Sequence, residues 1–257
     1  MPADTTQTLQ RAVAILDSFS PNKPDLGVRE AARIVGLSSS TTGRLLLSLK
    51  ELGVLDQNPE TRAYSLGGKV LAWANVYTNT LDVRNLAMSA LVQLHQETQE
   101  TISLYVMEGD ERGCVERLES PQNVRIVARI GRRLPLYAGS AGKVFLAFLS
   151  EERRNEILNH TDFTPFTSQT IVNRSRLMDD LVKIKNQGFA VSRGEWTSDA
   201  SGVAAPIFNS SRDIVAAITI SGPSQRFTDE KIEKYSRDIL GISGKISRAM
   251  GYFGKIG

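Results

Sequence analysis

The stretch GLSSSTTGRLLLSLKELGVLDQNPETRAYSLG, residues 36–67, carries three structural signals in immediate succession. Gly36 offers the permissive backbone that a tight turn requires. Ser38 stands where a helix N-cap would, and apolar residues then recur at helical spacing, so a helix is expected over Ser38 to Leu52. After Gly53 two short alternating runs, VLDQ and AYSL, flank the Asn-Pro turn of NPETR and read as a β-hairpin.

Toward the N-terminus, Leu9, Ala12, Val13, Leu16 and Phe19 keep helical spacing and are followed by Pro21 and Pro24, so a first helix should end near Phe19. Val28, Ala31, Ala32 and Val35 form the apolar face of a shorter second helix that Gly36 terminates. Two short helices across such a turn, with a hairpin after them, make a winged helix-turn-helix. On the third helix, Thr41, Thr42, Leu45, Leu49 and Leu52 share the side expected to pack on the first two. The opposite side carries Ser39, Ser40, Gly43, Arg44, Leu47 and Lys50.

That outward side suits double-stranded DNA. Hydroxyls reach phosphates and base edges, Arg44 reaches a phosphate or a guanine, and Gly43 lets the backbone approach a groove. The DNA-contacting candidates are therefore Ser38, Ser39, Ser40, Thr41, Thr42, Gly43 and Arg44, joined by Arg62 at the hairpin tip for a phosphate or the minor groove. Leu47 reads equally as a thymine-methyl contact or an ordinary exposed leucine. Charge alone does not nominate the segment. Arg11, Lys23, Arg29, Arg33, Arg44, Lys50 and Arg62 are balanced by Asp4, Asp17, Asp25, Glu30, Glu51, Asp56 and Glu60. A three-helix packing module would explain the helices but not the polar face beside a hairpin.

The length of 257 residues favours two domains. The boundaries read as 1–68 for the winged helix, 69–80 for a linker helix and 81–257 for a second domain. In that part a helix is expected over Leu81 to Thr98, and strands over Thr101 to Met107, Cys114 to Leu118, Val124 to Ala128, Phe189 to Ser192, Gly202 to Phe208 and Ile214 to Ile220. Thr228 should cap a last helix striped with Ile232, Tyr235, Ile239, Ile242 and Ile246. Mixed without strict alternation, these elements predict an α+β class around a mostly antiparallel sheet. Residues 120–150 contain no acid, and Arg125, Arg129, Arg132, Arg133 and Lys143 gather there beside Gly139-Ser140-Ala141-Gly142. A helix opening on that loop would favour an anion such as a carboxylate. The spacing of a nucleotide-binding P-loop is absent.

RAVAILDSFS (11–20), the 36–67 stretch, GRRLPLYAGSAGKVFLAFL (131–149), and the hairpin from VAAPIFN (203–209) to ITISGP (218–223) together resemble the IclR family of transcriptional regulators. A family signature also runs here from Gly188 through Ser192 and Glu195 to Val203, Ala204, Ile207, Phe208 and Asn209. The resemblance implies a GAF-like or profilin-like effector-binding domain. It also implies effector contacts at Gly139, Ser140, Ala141 and Gly142, at Glu195, Asp199 and Gly202, and at Thr219 and Ser221. The chain departs from the family at Gly202, where a cysteine, serine or alanine is usual, and at Asp199, where glycine is common. It also departs at Ser39 and Gly43, which are usually basic and bulky. Gly202 vacates space, and Trp196, Phe189, Tyr137 and Tyr105 stand near in sequence, so an effector carboxylate with an aromatic body is expected.

The expected protein is thus a regulator of catabolic genes, repressor or activator, whose operator binding a small molecule modulates. A homodimer or dimer of dimers is expected on a palindromic operator, because two recognition helices one DNA turn apart match such sites. No apolar run approaches a membrane span and MPADTTQTLQ has no leader character, so a cytoplasmic protein without a membrane partner is expected. Cys114, His95 and His160 offer no ligand spacing, so neither metal nor cofactor is expected. The alternatives are an enzyme acting on a small acid, its helix-turn-helix used for assembly, and a winged helix that binds protein. No nucleophile–base pair or G-x-S-x-G turn supports the enzyme.

Overall fold

The computed structural model describes residues 6–20, 22–73, 83–126 and 130–256. The chain divides into two compact units, Met1–Thr80 and Leu81–Gly257.

In the first unit α1 (Gln7–Leu16), α2 (Val28–Val35) and α3 (Ser39–Glu51) precede a hairpin of β1 (Leu55–Gln57) and β2 (Tyr64–Leu66). Helix α1 stops three residues before Phe19, because the Ser18 hydroxyl donates to the Ile15 carbonyl at 2.6 Å and closes the last turn locally. Gly36 takes the left-handed conformation at φ +67° that ends α2, and the Ser38 hydroxyl accepts the Thr41 amide at the start of α3. Leu26 adds a third extended segment to the hairpin by exchanging backbone hydrogen bonds with Tyr64. Ile15, Leu26, Ala31, Leu46, Leu49, Val54, Leu55 and Tyr64 form the core beneath them. The packed side of α3 is Thr42, Leu46 and Leu49, not the side holding Thr41 and Leu52, which are half-buried and exposed. Residues 68–73 are helical, and the rest of the expected linker helix lies outside the described residues.

The second unit is a six-stranded antiparallel sheet covered on both faces. It begins with α4 (Val83–Thr98), β3 (Thr101–Glu108), β4 (Glu111–Leu118) and β5 (Arg133–Pro135), followed by α5 (Ser140–Phe148), α6 (Glu151–Asn159) and α7 (Arg174–Gln187). It closes with β6 (Ala190–Arg193), β7 (Ala200–Phe208), β8 (Ile214–Pro223) and α8 (Asp229–Ala249). The strand order is β5-β4-β3-β8-β7-β6. Period-2 alternation sends Ile102, Leu104, Val203, Ile207, Ile218 and Ile220 to one face, where α4 and the isoleucine stripe of α8 cover them. Each such buried side chain contributes about 1.5–3 kcal/mol, which is what holds these long helices to the sheet. Tyr105, Cys114, Ala204 and Ala217 face the other way, toward α5 and α7.

One strand expectation changes. Residues 124–126 are not a strand, and 127–129 lie outside the described residues; the third strand in sequence is instead the short β5. The expected helix over Leu81 to Thr98 is described from Val83 onward. Among the described residues no helix is long and apolar enough to cross a membrane.

Candidate functional site

The exterior of α3 presents the exposed side chains of Ser39, Ser40, Arg44, Leu47 and Lys50. Ser38 spends its hydroxyl on the helix start, accepting from the Thr41 amide at 3.2 Å and bonding Thr41 Oγ1 at 2.9 Å. Thr42 must be removed from the DNA-contacting candidates. It is 0% exposed and lies in the packed face of the helix, so it cannot reach DNA. Gly43 also points differently from expectation, since a Cβ there would lie 3.5 Å from Val28 Cγ1 of α2. Arg62 is exposed on the hairpin, and its left-handed backbone (φ +60°) is held by its amide donating to the Asn58 carbonyl and its carbonyl accepting from Gln57 Nε2.

In the second unit a cavity of about 150 Å³ opens on the sheet face that carries Thr219, Ser221 and Gly202, against the start of α5. Gly139, Ser140 and Ala141 line it from one side, Ser192, Trp196 and Ser201 from another, and Tyr105, Arg112, Ile126 and Arg132 close it. Gly202 is a wall, because a Cβ there would meet Ser140 Oγ at 3.2 Å and the Ile220 carbonyl at 3.2 Å. Among the described residues that line the cavity there is no carboxylate, while hydroxyls and two arginines are present. Burial pushes the Tyr105 phenol above its ordinary range, and pushes the Arg112 guanidinium down against the opposing fields of Tyr105 and Glu195.

Of the effector candidates, Gly139, Ser140, Ala141, Gly202, Thr219 and Ser221 line this cavity. Gly142, Glu195 and Asp199 do not. Gly142 sits where a Cβ would overlap the Leu136 carbonyl and the Arg112 guanidinium, so it is the backbone's close approach that requires glycine. Glu195 is buried behind the loop, where Oε2 accepts the Gly139 amide at 3.0 Å and Oε1 accepts Lys143 Nζ at 2.6 Å. Asp199 is exposed, and its carbonyl accepts the Ser224 amide.

The basic cluster read from the sequence separates in space. Lys143 is only 2% exposed and bonds Asp180 at 2.8 Å, Glu195 and the Val191 carbonyl, so it serves the fold and offers no free charge. Arg125 pairs with Glu119 and Arg133 with Glu108, both outside the cavity. Arg132 lies over the Trp196 ring at 5.2 Å, at the cavity rim, and Arg129 lies outside the described residues. Arg112, which the sequence reading passed over in the strand ERGCVERL, is the buried cation of the cavity. Among the rings, Trp196 and Tyr105 reach the cavity, whereas Tyr137 packs on Phe163 and Phe166, and Phe189 packs against the opposite core. Among the described residues no group of histidine, cysteine and acidic side chains is placed to hold a metal ion.

Two family models match the chain: the IclR helix-turn-helix domain over residues 8–59 and the bacterial transcriptional regulator IclR C-terminal domain over residues 75–248. The HTH-type transcriptional regulator XynR of Escherichia coli is 32% identical over 96% of this chain and 98% of its own length. The HTH-type transcriptional regulator KipR of Bacillus subtilis is 31% identical over 96% and 98%. The crystal structure of the Agobacterium tumefaciens repressor BlcR superposes with a TM-score of 0.82 at 28% identity, covering 98% of this chain and 100% of that one. These relatives are named as transcriptional regulators or repressors, and the acid-processing alternative finds no support among them. With a winged helix-turn-helix in one unit and a lined cavity in the other, the chain belongs to the IclR family of DNA-binding transcriptional regulators with an effector-binding domain.

Proposed function

We propose that the chain regulates catabolic genes by reading a palindromic operator with α3 and the hairpin, and that a small carboxylate with an aromatic body in the cavity modulates that binding. The observation that carries the reading is the cavity lining, in which hydroxyls and arginines meet the start of a helix without any acid. Ser39, Ser40 and Arg44 supply base and phosphate contacts, Ser38, Thr41 and Gly43 set the approach of the helix start, and Arg62 adds a backbone contact from the wing. Gly139, Ser140, Ala141, Gly202, Thr219 and Ser221 contact the effector, while Glu195 and Gly142 shape the loop. The functional division is 1–68 for DNA, 69–80 for the link and 81–257 for the effector. The working form is a cytoplasmic homodimer or dimer of dimers, since a palindrome is matched by two copies of α3.

The ring part of the reading follows from size. An apolar cavity of about 150 Å³ is known to accept a benzene-sized ligand. Trp196 and Tyr105 offer faces to a ring. The test selects DNA from a random pool with the full chain, then measures mobility shifts with and without benzoates and phenylacetates. A palindromic consensus is expected, bound at least about tenfold more weakly by Ser40→Ala/Arg44→Ala and shifted in affinity by the acids. An unchanged shift in the double variant overturns the α3 assignment, and indifference to every ring acid overturns the effector class.

A further inference from the structure

We propose that Arg112 is the residue by which the cavity selects acids: its buried guanidinium is the counter-charge for one carboxylate of the effector. This rests on reading the cavity as the effector site, and it assigns the charge recognition to a strand residue outside the glycine loop.

Arg112 is 4% exposed, its Nη1 donates to the Pro135 carbonyl, and its Nε is buried without a partner. Among the described residues no carboxylate lies within 4.0 Å of it. Glu195, whose field reaches the guanidinium, is already held by Lys143 and the Gly139 amide. A desolvated cation left without an anion is an unfavourable arrangement, and an anionic ligand in the cavity would relieve it. Burial depresses the Arg112 pKa against the opposing fields of Tyr105 and Glu195.

The loop is built around this side chain. A Cβ at Gly139 would stand 3.1 Å from Arg112 Nη2, and one at Gly142 would overlap Nη1. Glycine also serves the positive φ at 139 and the close approach of the Leu136 carbonyl at 142, and neither position puts a side chain between the loop and the guanidinium. The same loop opens α5 with no side-chain cap, so the positive end of the helix and the arginine act on one volume. A planar fork of donors matches a carboxylate in geometry as well as charge. Arg132 is a poorer candidate, because it is exposed at the rim and screened by solvent.

The test uses the full chain and pairs of probes alike in shape but not in charge: benzoate with benzamide, and phenylacetate with phenylacetamide. Calorimetric titration of the unsubstituted protein should show each acid bound at least about tenfold more tightly than its amide. In Arg112→Met the acid preference should fall to within about twofold while the amides bind as before, and the ligand-free variant should melt at or above the parent. Arg112→Lys, which keeps the charge and loses the fork, should retain a preference at reduced affinity. An acid preference that survives in Arg112→Met overturns the proposal. Parallel loss of acid and amide binding in both variants, with a lowered melting temperature, overturns it in favour of a purely structural arginine. If no acid binds the unsubstituted protein, the effector reading falls, and the role of Arg112 falls with it.

Discussion

Helices α3 and α5 both open close behind a positive-φ glycine, Gly36 two residues before the Ser38 cap in one and Gly139 directly before Ser140 in the other, yet the two openings are finished in opposite ways. At α3 the chain closes its own helix end through the Ser38 cap, and the hydroxyls of Ser39 and Ser40 are exposed. They can exchange solvent for phosphate at little desolvation cost, as suits a surface that must bind and release a polyanion. At α5 no side chain caps the end, the loop is buried, and the Gly139 amide is propped by Glu195 from behind. Similar residue types thus make a self-sufficient helix start on a surface and an unfinished one in a cavity. The difference lies in what covers them.

The largest test of that contrast removes what sits behind α5. Lys143→Met leaves Glu195 buried without its hydrogen-bonded cation, and breaking a buried pair from one side costs about 3–5 kcal/mol. Urea unfolding followed through Trp196 should show that loss in the second unit, and Lys143→Met/Glu195→Gln should recover a large part of it. A single-variant cost below about 1 kcal/mol would mean that the loop stands without its prop.

The next test fills the space in front of the loop. Gly202→Leu meets Ser140 Oγ and the Ile220 carbonyl at its first carbon, so about 1–3 kcal/mol of overpacking is expected. The ligand-induced rise in melting temperature should vanish, because the side chain occupies the cavity. A retained response to ring acids would move the effector elsewhere.

The same contrast explains what could be read before the structure. Gly36, Ser38 and the Asn-Pro turn act within a few residues, so the winged helix and its cap were legible as sequence. Three adjacent leucines at 45–47 blurred the phase of α3. Its packed side proved to be Thr42, Leu46 and Leu49, with Leu46 missed and Thr42 read both as packed and as a DNA contact. The strands were legible by alternation, the three-residue β1 and β2 with the help of the Asn-Pro turn between them, but β5, which is as short, has no such turn beside it. Six of the residues implied for the effector line one cavity, because they sit on a helix start and on two paired strands. Arg112 and Lys143 were opaque for one reason. Whether a basic residue is free, paired or unpartnered depends on Pro135, Asp180 and Glu195, which lie 23, 37 and 52 residues away along the chain.

A matched pair of serine replacements compares the two helix starts directly. Ser38→Ala removes a cap and should cost the first unit about 1 kcal/mol. Ser140→Ala removes no cap and should change stability by less than about 0.5 kcal/mol, while weakening acid binding from within the cavity. Equal stability losses, measured by chemical denaturation, would erase the distinction between a self-capped end and an open one.

The smallest effect is expected at the hairpin. Arg62 holds a left-handed backbone that L-residues adopt at a cost, so Arg62→Gly should stabilise the first unit by up to about 1 kcal/mol. Arg62→Ala keeps the strain and loses the charge. Both variants remove the same phosphate contact, so both should weaken binding to all DNA sequences alike and flatten the slope of log affinity against log salt by about one unit. The two changes share the DNA effect and differ in stability, so a weakening seen only in Arg62→Gly would trace it to the backbone and not to charge. A weakening confined to particular base pairs in both variants would instead make Arg62 a groove reader, giving the wing a share in the sequence recognition here assigned to α3.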